Sequence, residues 1–193
     1  MVPKDRLKTY LHLTDAASIS RRYFIIGFFD GILTMAGMIV GAFISGHNDS
    51  RLIITVGVAT ALAIGISSAW GAFEAERIEQ KTVKRRREKH MLSKFGRNNI
   101  IDDAHKFAVF VTSLIHGIAP IFGSFILIIP YLIFPPFEAF ETSIVICCTS
   151  LFILGAVMGR MIEENVFLNG LRMLLFGTLV MLLVLILNPT HVI

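Results

Sequence analysis

This chain has few charged residues, and it lacks segments in which apolar and polar residues alternate. Asp, Glu, Lys and Arg make up 17% of its 193 residues, whereas 54% are hydrophobic, and the mean hydropathy is +0.71. A typical soluble domain contains about 25% charged residues. The strict alternation of apolar and polar residues that marks membrane-spanning strands is also absent. The composition therefore predicts an integral membrane protein that is entirely α-helical.

Cysteines and catalytic motifs are equally few. Cys147 and Cys148 are adjacent within an apolar run, whereas metal or redox pairs are separated by about two residues. We interpret them as packing residues. The sequence contains no HExxH motif, phosphate-binding loop or recognisable nucleophile and base pair. We therefore expect neither enzymatic activity nor a bound cofactor.

Five apolar stretches are long enough to cross a bilayer as helices, which takes about 20 residues each. The third contains Pro120 and Pro130 and is expected to be kinked or broken near one of them. The chain is predicted to form a single membrane domain, preceded by an amphipathic surface helix or a partly disordered tail. The predicted spans are residues 23–45, 52–73, 107–134, 143–162 and 167–187. The predicted regions are an N-terminal segment (1–22), spans one and two (23–76), a basic connection (77–106) and spans three to five (107–193).

The distribution of Lys and Arg predicts the orientation in the membrane. Five basic residues precede the first span, ten lie in residues 77–106, and two flank the connection between spans four and five, which leaves Arg51 alone on the opposite side. Because basic residues stay on the cytoplasmic side, the N-terminus is expected inside and the C-terminus outside. The run containing Arg85, Arg86 and Arg87 is predicted to contact anionic lipid headgroups rather than nucleic acid.

Small residues recur at four-residue spacing along the first span, as the pairs Gly27 and Gly31, then Gly37 and Gly41. Such stripes let helix backbones approach closely. The spacing leaves open whether these helices pack within one chain or between two.

Three polar residues lie at similar depths within the apolar spans: Asp30, Ser68 and His116. Placing a charged carboxylate inside a bilayer costs about 2.5–3.5 kcal/mol, so we expect Asp30 to have a functional role. Carboxylate, hydroxyl and imidazole groups are all possible ligands of Fe²⁺ or Mn²⁺. Ser68 either takes this role or bonds its own helix backbone, and His116 either takes it or bonds a neighbouring helix.

Three glutamates, Glu74, Glu76 and Glu79, follow the second span. If the helix continues, Glu76 and Glu79 share a face and are predicted to gather cations at the cytoplasmic mouth. The alternative is a solvated helix whose glutamates pair with the basic residues that follow.

Three stretches of the sequence resemble the vacuolar iron transporter family. "GFFDGILTMAGMIVGAF" is similar to its first-helix signature, an Asp-Gly pair followed by Thr or Ser and a Gly-rich half. "SSAWGAFEAE" resembles the Ser-Met-Ala-x-Gly-x-Tyr pattern that closes its second helix, with Ser68 where the family has Met. "LFILGAVMGRMIEENVFLNGLRMLLFG" follows the family in order and spacing. The resemblance covers nearly the whole chain.

The resemblance implies a homodimer with an ion path between the two first helices, where Asp30 acts as a metal ligand or proton carrier. It implies export of Fe²⁺ or Mn²⁺ from the cytosol in exchange for protons, by a short, prokaryotic-type member in the cell membrane. The alternative is a non-transporting membrane interaction or assembly protein that retains the fold. The residues predicted to meet the metal are Asp30, Ser68, Glu74, Glu76, Glu79 and His116.

Overall fold

A computed structural model describes residues 16–91 and 100–187, and this part of the chain consists of helices without any strand. Each of the five helices contains a stretch long and apolar enough to cross a membrane. The predicted all-helical fold with five spans is therefore confirmed for the described residues. Most of the predicted N-terminal segment, residues 1–15, lies outside them. The helices are α1 (Ala16–Ile44), α2 (Ser50–Met91), α3 (Ile100–Ile133), α4 (Pro136–Met161) and α5 (Val166–Leu187).

All five helices are longer than the apolar runs that predicted them, and the reason is clear for α2 and α4. α2 has 42 residues and continues to Met91, because the polar segment after the second span is rich in Ala, Glu, Gln, Lys and Arg, which favour helix. α4 begins at Pro136, seven positions before the expected residue 143, with Pro135 as its N-cap and Glu138 in its first turn. Proline at the first helical position and an acidic residue near the helix N-terminus both favour this start.

The third span is a continuous helix. α3 contains both Pro120 and Pro130 and runs without interruption from Ile100 to Ile133. The break that the prolines were expected to cause is therefore not found at either position. Pro130 still takes part in backbone bonding, since its carbonyl accepts a hydrogen bond from the Phe134 amide at 2.9 Å.

The described helices form two compact units. Among the described residues, the first unit contains α1 up to Ile26 together with the described part of Gly65–Ala119. In it, α2 and α3 approach closely at Gly117, where a Cβ atom would lie 2.6 Å from Ala69 Cβ and 2.7 Å from the Gly65 carbonyl oxygen. A side chain larger than hydrogen does not fit at this crossing.

The second unit contains Gly27–Ile64 and the described chain from Pro120 to Leu187. Its core is apolar and includes Ile32, Met35 and Leu127, all of which are fully buried. Two buried serines link helices within this core. Ser124 donates its hydroxyl to the Gly31 carbonyl at 3.2 Å, and Ser143 donates to the Leu127 carbonyl at 2.9 Å.

The glycine stripe of α1 packs within the chain. Gly31 lies against the backbone of Pro120 on α3, with no space for a Cβ atom between them. At Gly37 and Gly41 a Cβ atom would meet the Val184 side chain on α5 at 3.7 Å and 3.9 Å. Gly31 therefore serves a contact between α1 and α3 of a single chain, which answers for this glycine the question that the spacing left open, while Gly37 and Gly41 are partly buried beside α5.

Candidate functional site

The carboxylate of Asp30 lies on the outer surface of the chain. Its side chain is exposed, although it lies about 12 Å along the helix from the last basic residue before the span. The next residue, Gly31, faces α3, and successive side chains of a helix point in directions about 100° apart. Among the described residues, the Asp30 carboxylate has neither a hydrogen bond nor an ion pair. Asp30 thus presents an acidic group, unpaired among the described residues, on a helix that is long and apolar enough to cross a membrane.

A cluster of polar residues in the first unit is centred on Tyr23 of α1. The Tyr23 hydroxyl donates a hydrogen bond of 2.8 Å to Glu76 Oε1 on α2. The backbone carbonyl of Tyr23 lies 3.0 Å from Nδ1 of His116 on α3, and the two rings are 4.9 Å apart between centroids. One residue therefore contacts both a predicted glutamate and the predicted histidine.

The contact of His116 defines its tautomer. A carbonyl oxygen only accepts hydrogen bonds, so Nδ1 carries the proton in the bond to Tyr23. In the neutral imidazole, Nε2 then keeps its lone pair. Metal-binding histidines commonly hold their second nitrogen against a backbone carbonyl in this way. His116 thus bonds a neighbouring helix, as one of its two interpretations expected, and keeps one nitrogen suited to a ligand role.

The three predicted glutamates have different surroundings. Glu74 forms an ion pair of 2.9 Å with Arg77, one turn further along α2, and both side chains are partly exposed. Such a pair contributes little to stability. Glu79 is exposed, whereas Glu76 is partly buried and bonded to Tyr23. Within the described ranges, no group of three or more His, Cys, Asp or Glu side chains could hold a metal ion.

Ser68 is half-buried on α2. In the described part of the chain its hydroxyl makes no hydrogen bond. Thr112 and Ser113 on α3 behave differently, since each donates to a carbonyl of its own helix, at 2.8 Å and 2.7 Å. The bond to its own backbone that was one of the two interpretations of Ser68 is therefore not found.

The basic run lies on the extension of α2. The side chains of Arg85 and Arg86 are exposed, while the side chain of Arg87 lies outside the described part. Arg85 is about 16 Å along the helix beyond Glu74. The extension is tied to α3 by Gln80, whose side-chain nitrogen donates to the His105 carbonyl at 3.0 Å.

Sequence analysis did not identify Tyr23, the residue that contacts both Glu76 and His116, as a candidate. An aromatic side chain beside an arginine at the start of a span is typical of the aromatic belt at a membrane surface. Its bond to Glu76 joins positions 53 residues apart, and no local spacing indicates such a pairing.

Known sequences match most of this chain. The sequence model of the VIT family matches residues 21–99 and 88–187, which together include parts of all five helices. The chain is also 32% identical over 174 residues to "Uncharacterized protein MJ0645" of Methanocaldococcus jannaschii, and the alignment covers 89% of each chain.

Proposed function

The chain belongs to the VIT family, the vacuolar iron transporter family that its motifs resemble, and from this premise we propose that it transports a divalent transition metal across a membrane. The proposed substrate is Fe²⁺ or Mn²⁺, which leaves the cytosol in exchange for protons. The five apolar helices make the chain a multi-pass membrane protein. The proposed location is the cell membrane of a prokaryote.

The carboxylate of Asp30, exposed and without a partner in the part of the chain that the structure describes, is the observation that carries this proposal. A charged group facing lipid at this depth costs about 2.5–3.5 kcal/mol, so membrane proteins turn such groups toward water, an ion or another protein surface. A two-fold homodimer in which α1 meets its copy gives Asp30 such surroundings. Two carboxylates facing one path would attract a divalent cation and exchange it for protons.

The proposed interface uses the face of α1 that carries Asp30 and Ile26, one turn apart and both exposed. It does not use Gly31, because this glycine already lies against the Pro120 backbone of its own chain. The dimer proposal is therefore supported by the exposed carboxylate on this face rather than by the small-residue stripe.

Candidate ligands of the first unit would form the cytoplasmic mouth of the path. Glu76 and Glu79 lie one turn apart on α2. His116, which the sequence predicted at the depth of Asp30, instead bonds the Tyr23 carbonyl at the start of the first span, so its Nε2 lone pair adds a nitrogen donor at this mouth. Glu74 also belongs to this mouth, but it is paired with Arg77. Ser68 precedes these glutamates on α2 and lies deeper in the predicted span. Its hydroxyl is unbonded in the described part, and it is the proposed neutral oxygen ligand.

The proposed orientation has the N-terminus inside and rests on the distribution of basic residues. Arg85, Arg86 and Arg87 are proposed to attract anionic headgroups of the cytoplasmic leaflet. Because this attraction falls off within about 8 Å at physiological salt, it requires α2, which continues without a break to Met91, to be strongly tilted so that its extension stays near the headgroups.

A non-transporting assembly protein is the second candidate function. It is favoured by one observation, namely that the described residues contain no group of three potential metal ligands. The two functions differ in whether the purified protein moves ions without any partner.

Proteoliposomes containing the purified protein test the proposal with Fe²⁺, Mn²⁺, Co²⁺ and Zn²⁺, each with and without a proton gradient. We expect flux of Fe²⁺ or Mn²⁺ that increases when protons move in the opposite direction. Flux of all four ions no faster than in protein-free vesicles would overturn the transport proposal and favour the assembly protein.

A further inference from the structure

The contacts of Tyr23 distinguish it from an ordinary aromatic residue of the membrane surface. Its hydroxyl is committed to Glu76 Oε1 at 2.8 Å, its carbonyl to His116 Nδ1 at 3.0 Å, and its ring contacts the His116 ring. The Arg22 guanidinium carbon lies 5.8 Å from the centroid of the same ring. The side chain is thus held on several sides, with its hydroxyl directed at one carboxylate oxygen.

We propose that Tyr23 is a positioning residue that weakens the grip of Glu76 on a divalent cation and so speeds the release of the ion into the path. This inference rests on the proposed transport function and adds a residue to it. Tyr23 acts through Glu76 and does not itself coordinate the ion.

The physical reason is competition for the carboxylate oxygens. A free carboxylate offers two oxygens and can hold a cation through both. In Glu76, one lone pair of Oε1 already accepts the Tyr23 proton, which withdraws negative charge from the carboxylate and disfavours bidentate binding. The ion then meets chiefly Oε2. A transport path needs such moderate binding, since an ion that is held too tightly does not leave.

The Tyr23 hydroxyl can be removed without disturbing the contact between Tyr23 and His116. His116 bonds the backbone carbonyl of Tyr23, which every residue carries, and its ring faces the aromatic ring. Tyr23→Phe therefore deletes only the bond to Glu76. Tyr131→Phe is a matched control, because the Tyr131 hydroxyl likewise donates to a side chain, Asn48 Oδ1, at 3.3 Å.

The first measurement is Mn²⁺ flux in proteoliposomes as a function of concentration. A lost hydrogen bond to a charged group changes affinity by about fivefold or more. We expect Tyr23→Phe to lower KM about fivefold and to lower the maximal rate, while Tyr131→Phe leaves both unchanged. A purely structural role predicts a higher KM or a lower thermal midpoint instead. An unchanged or higher KM in Tyr23→Phe would overturn the proposal.

The second measurement is equilibrium binding of Mn²⁺ to the detergent-solubilised protein, followed by the loss of the free-ion EPR signal. Tyr23→Phe should bind about fivefold more tightly, and this gain should vanish in the Glu76→Gln background, where the carboxylate is gone. A gain that persists in that background would overturn the assignment to Glu76.

The two measurements separate this inference from the transport function. Tighter binding in Tyr23→Phe without any flux would keep the weakening of Glu76 by Tyr23 and reject transport. Flux in the native protein with identical binding and KM in Tyr23→Phe would keep transport and reject the role of Tyr23. Absence of both Mn²⁺ binding and flux would reject both.

Discussion

Gly31 on α1 lies directly against the backbone carbonyl of Pro120 on α3, and a Cβ atom at position 31 has no space. The Ser124 hydroxyl bonds the Gly31 carbonyl at the same crossing. The contact fixes which face of α1 is turned toward α3, and thereby leaves the neighbouring Asp30 on the outer surface.

Replacement of this glycine should destabilise the protein. Gly31→Ala places a methyl group onto rigid backbone, and overpacking of this kind costs about 1–3 kcal/mol. Gly37→Ala is a matched control from the same stripe, because its methyl group would meet Val184 at an ordinary 3.7 Å. We expect the thermal midpoint to fall for Gly31→Ala and to stay level or rise for Gly37→Ala. Equal midpoints would contradict the described crossing of α1 and α3.

The proposed dimer can be tested by cross-linking on a background without Cys147 and Cys148. Ile26 is 50% exposed on the Asp30 face of α1, and Leu185 is 51% exposed on α5. Ile26→Cys should form a disulfide between two chains in the membrane, whereas Leu185→Cys, equally exposed, should not. If the Ile26→Cys variant runs as a monomer on non-reducing gels, α1 does not form the interface.

Ser68 is expected to influence the choice of ion. A thioether is a softer ligand than a hydroxyl, so Ser68→Met should shift the preference toward Fe²⁺ over Mn²⁺ by about fivefold. Competition between the two ions in the flux assay measures this ratio.

The stability of Ser68 variants provides the control for this change. Because its hydroxyl is unbonded in the described part, Ser68→Ala should leave the thermal midpoint almost unchanged, whereas Ser143→Ala should lower it through loss of a buried bond to Leu127. A fall in the midpoint of Ser68→Met with an unchanged ion ratio would identify position 68 as a packing position.

The number and type of the helices could be predicted from sequence because each span is a long apolar run. Their ends were less predictable. Glu138 and Glu141 lie in the first two turns of α4, and charged residues there made the apolar run appear to begin later. The proline pair at 135 and 136 was the signal for the true start.

The use of the glycine stripe and the bonding of the polar residues could not be predicted. Four-residue spacing at Gly31 and Gly37 allows close packing equally well within a chain and between chains, and only the positions of Pro120 and Val184 decide between them. The position of His116 along its helix predicted only its depth, whereas its hydrogen-bond partner depends on the direction in which the helix turns its side chain. The bond between Tyr23 and Glu76 could not be predicted for the same reason.

Proton-coupled Mn²⁺ flux through Asp30→Asn is the most direct test of the proposed function. Asparagine keeps the size of the side chain and removes its charge, so the variant should remain folded and lose both transport and its dependence on the proton gradient. Glu141→Gln is the matched control, since that carboxylate is also exposed but lies near the start of α4, and it should transport like the native protein. The account predicts flux at the level of protein-free vesicles for Asp30→Asn with an unchanged thermal midpoint. Native flux with native proton dependence in this variant would contradict it.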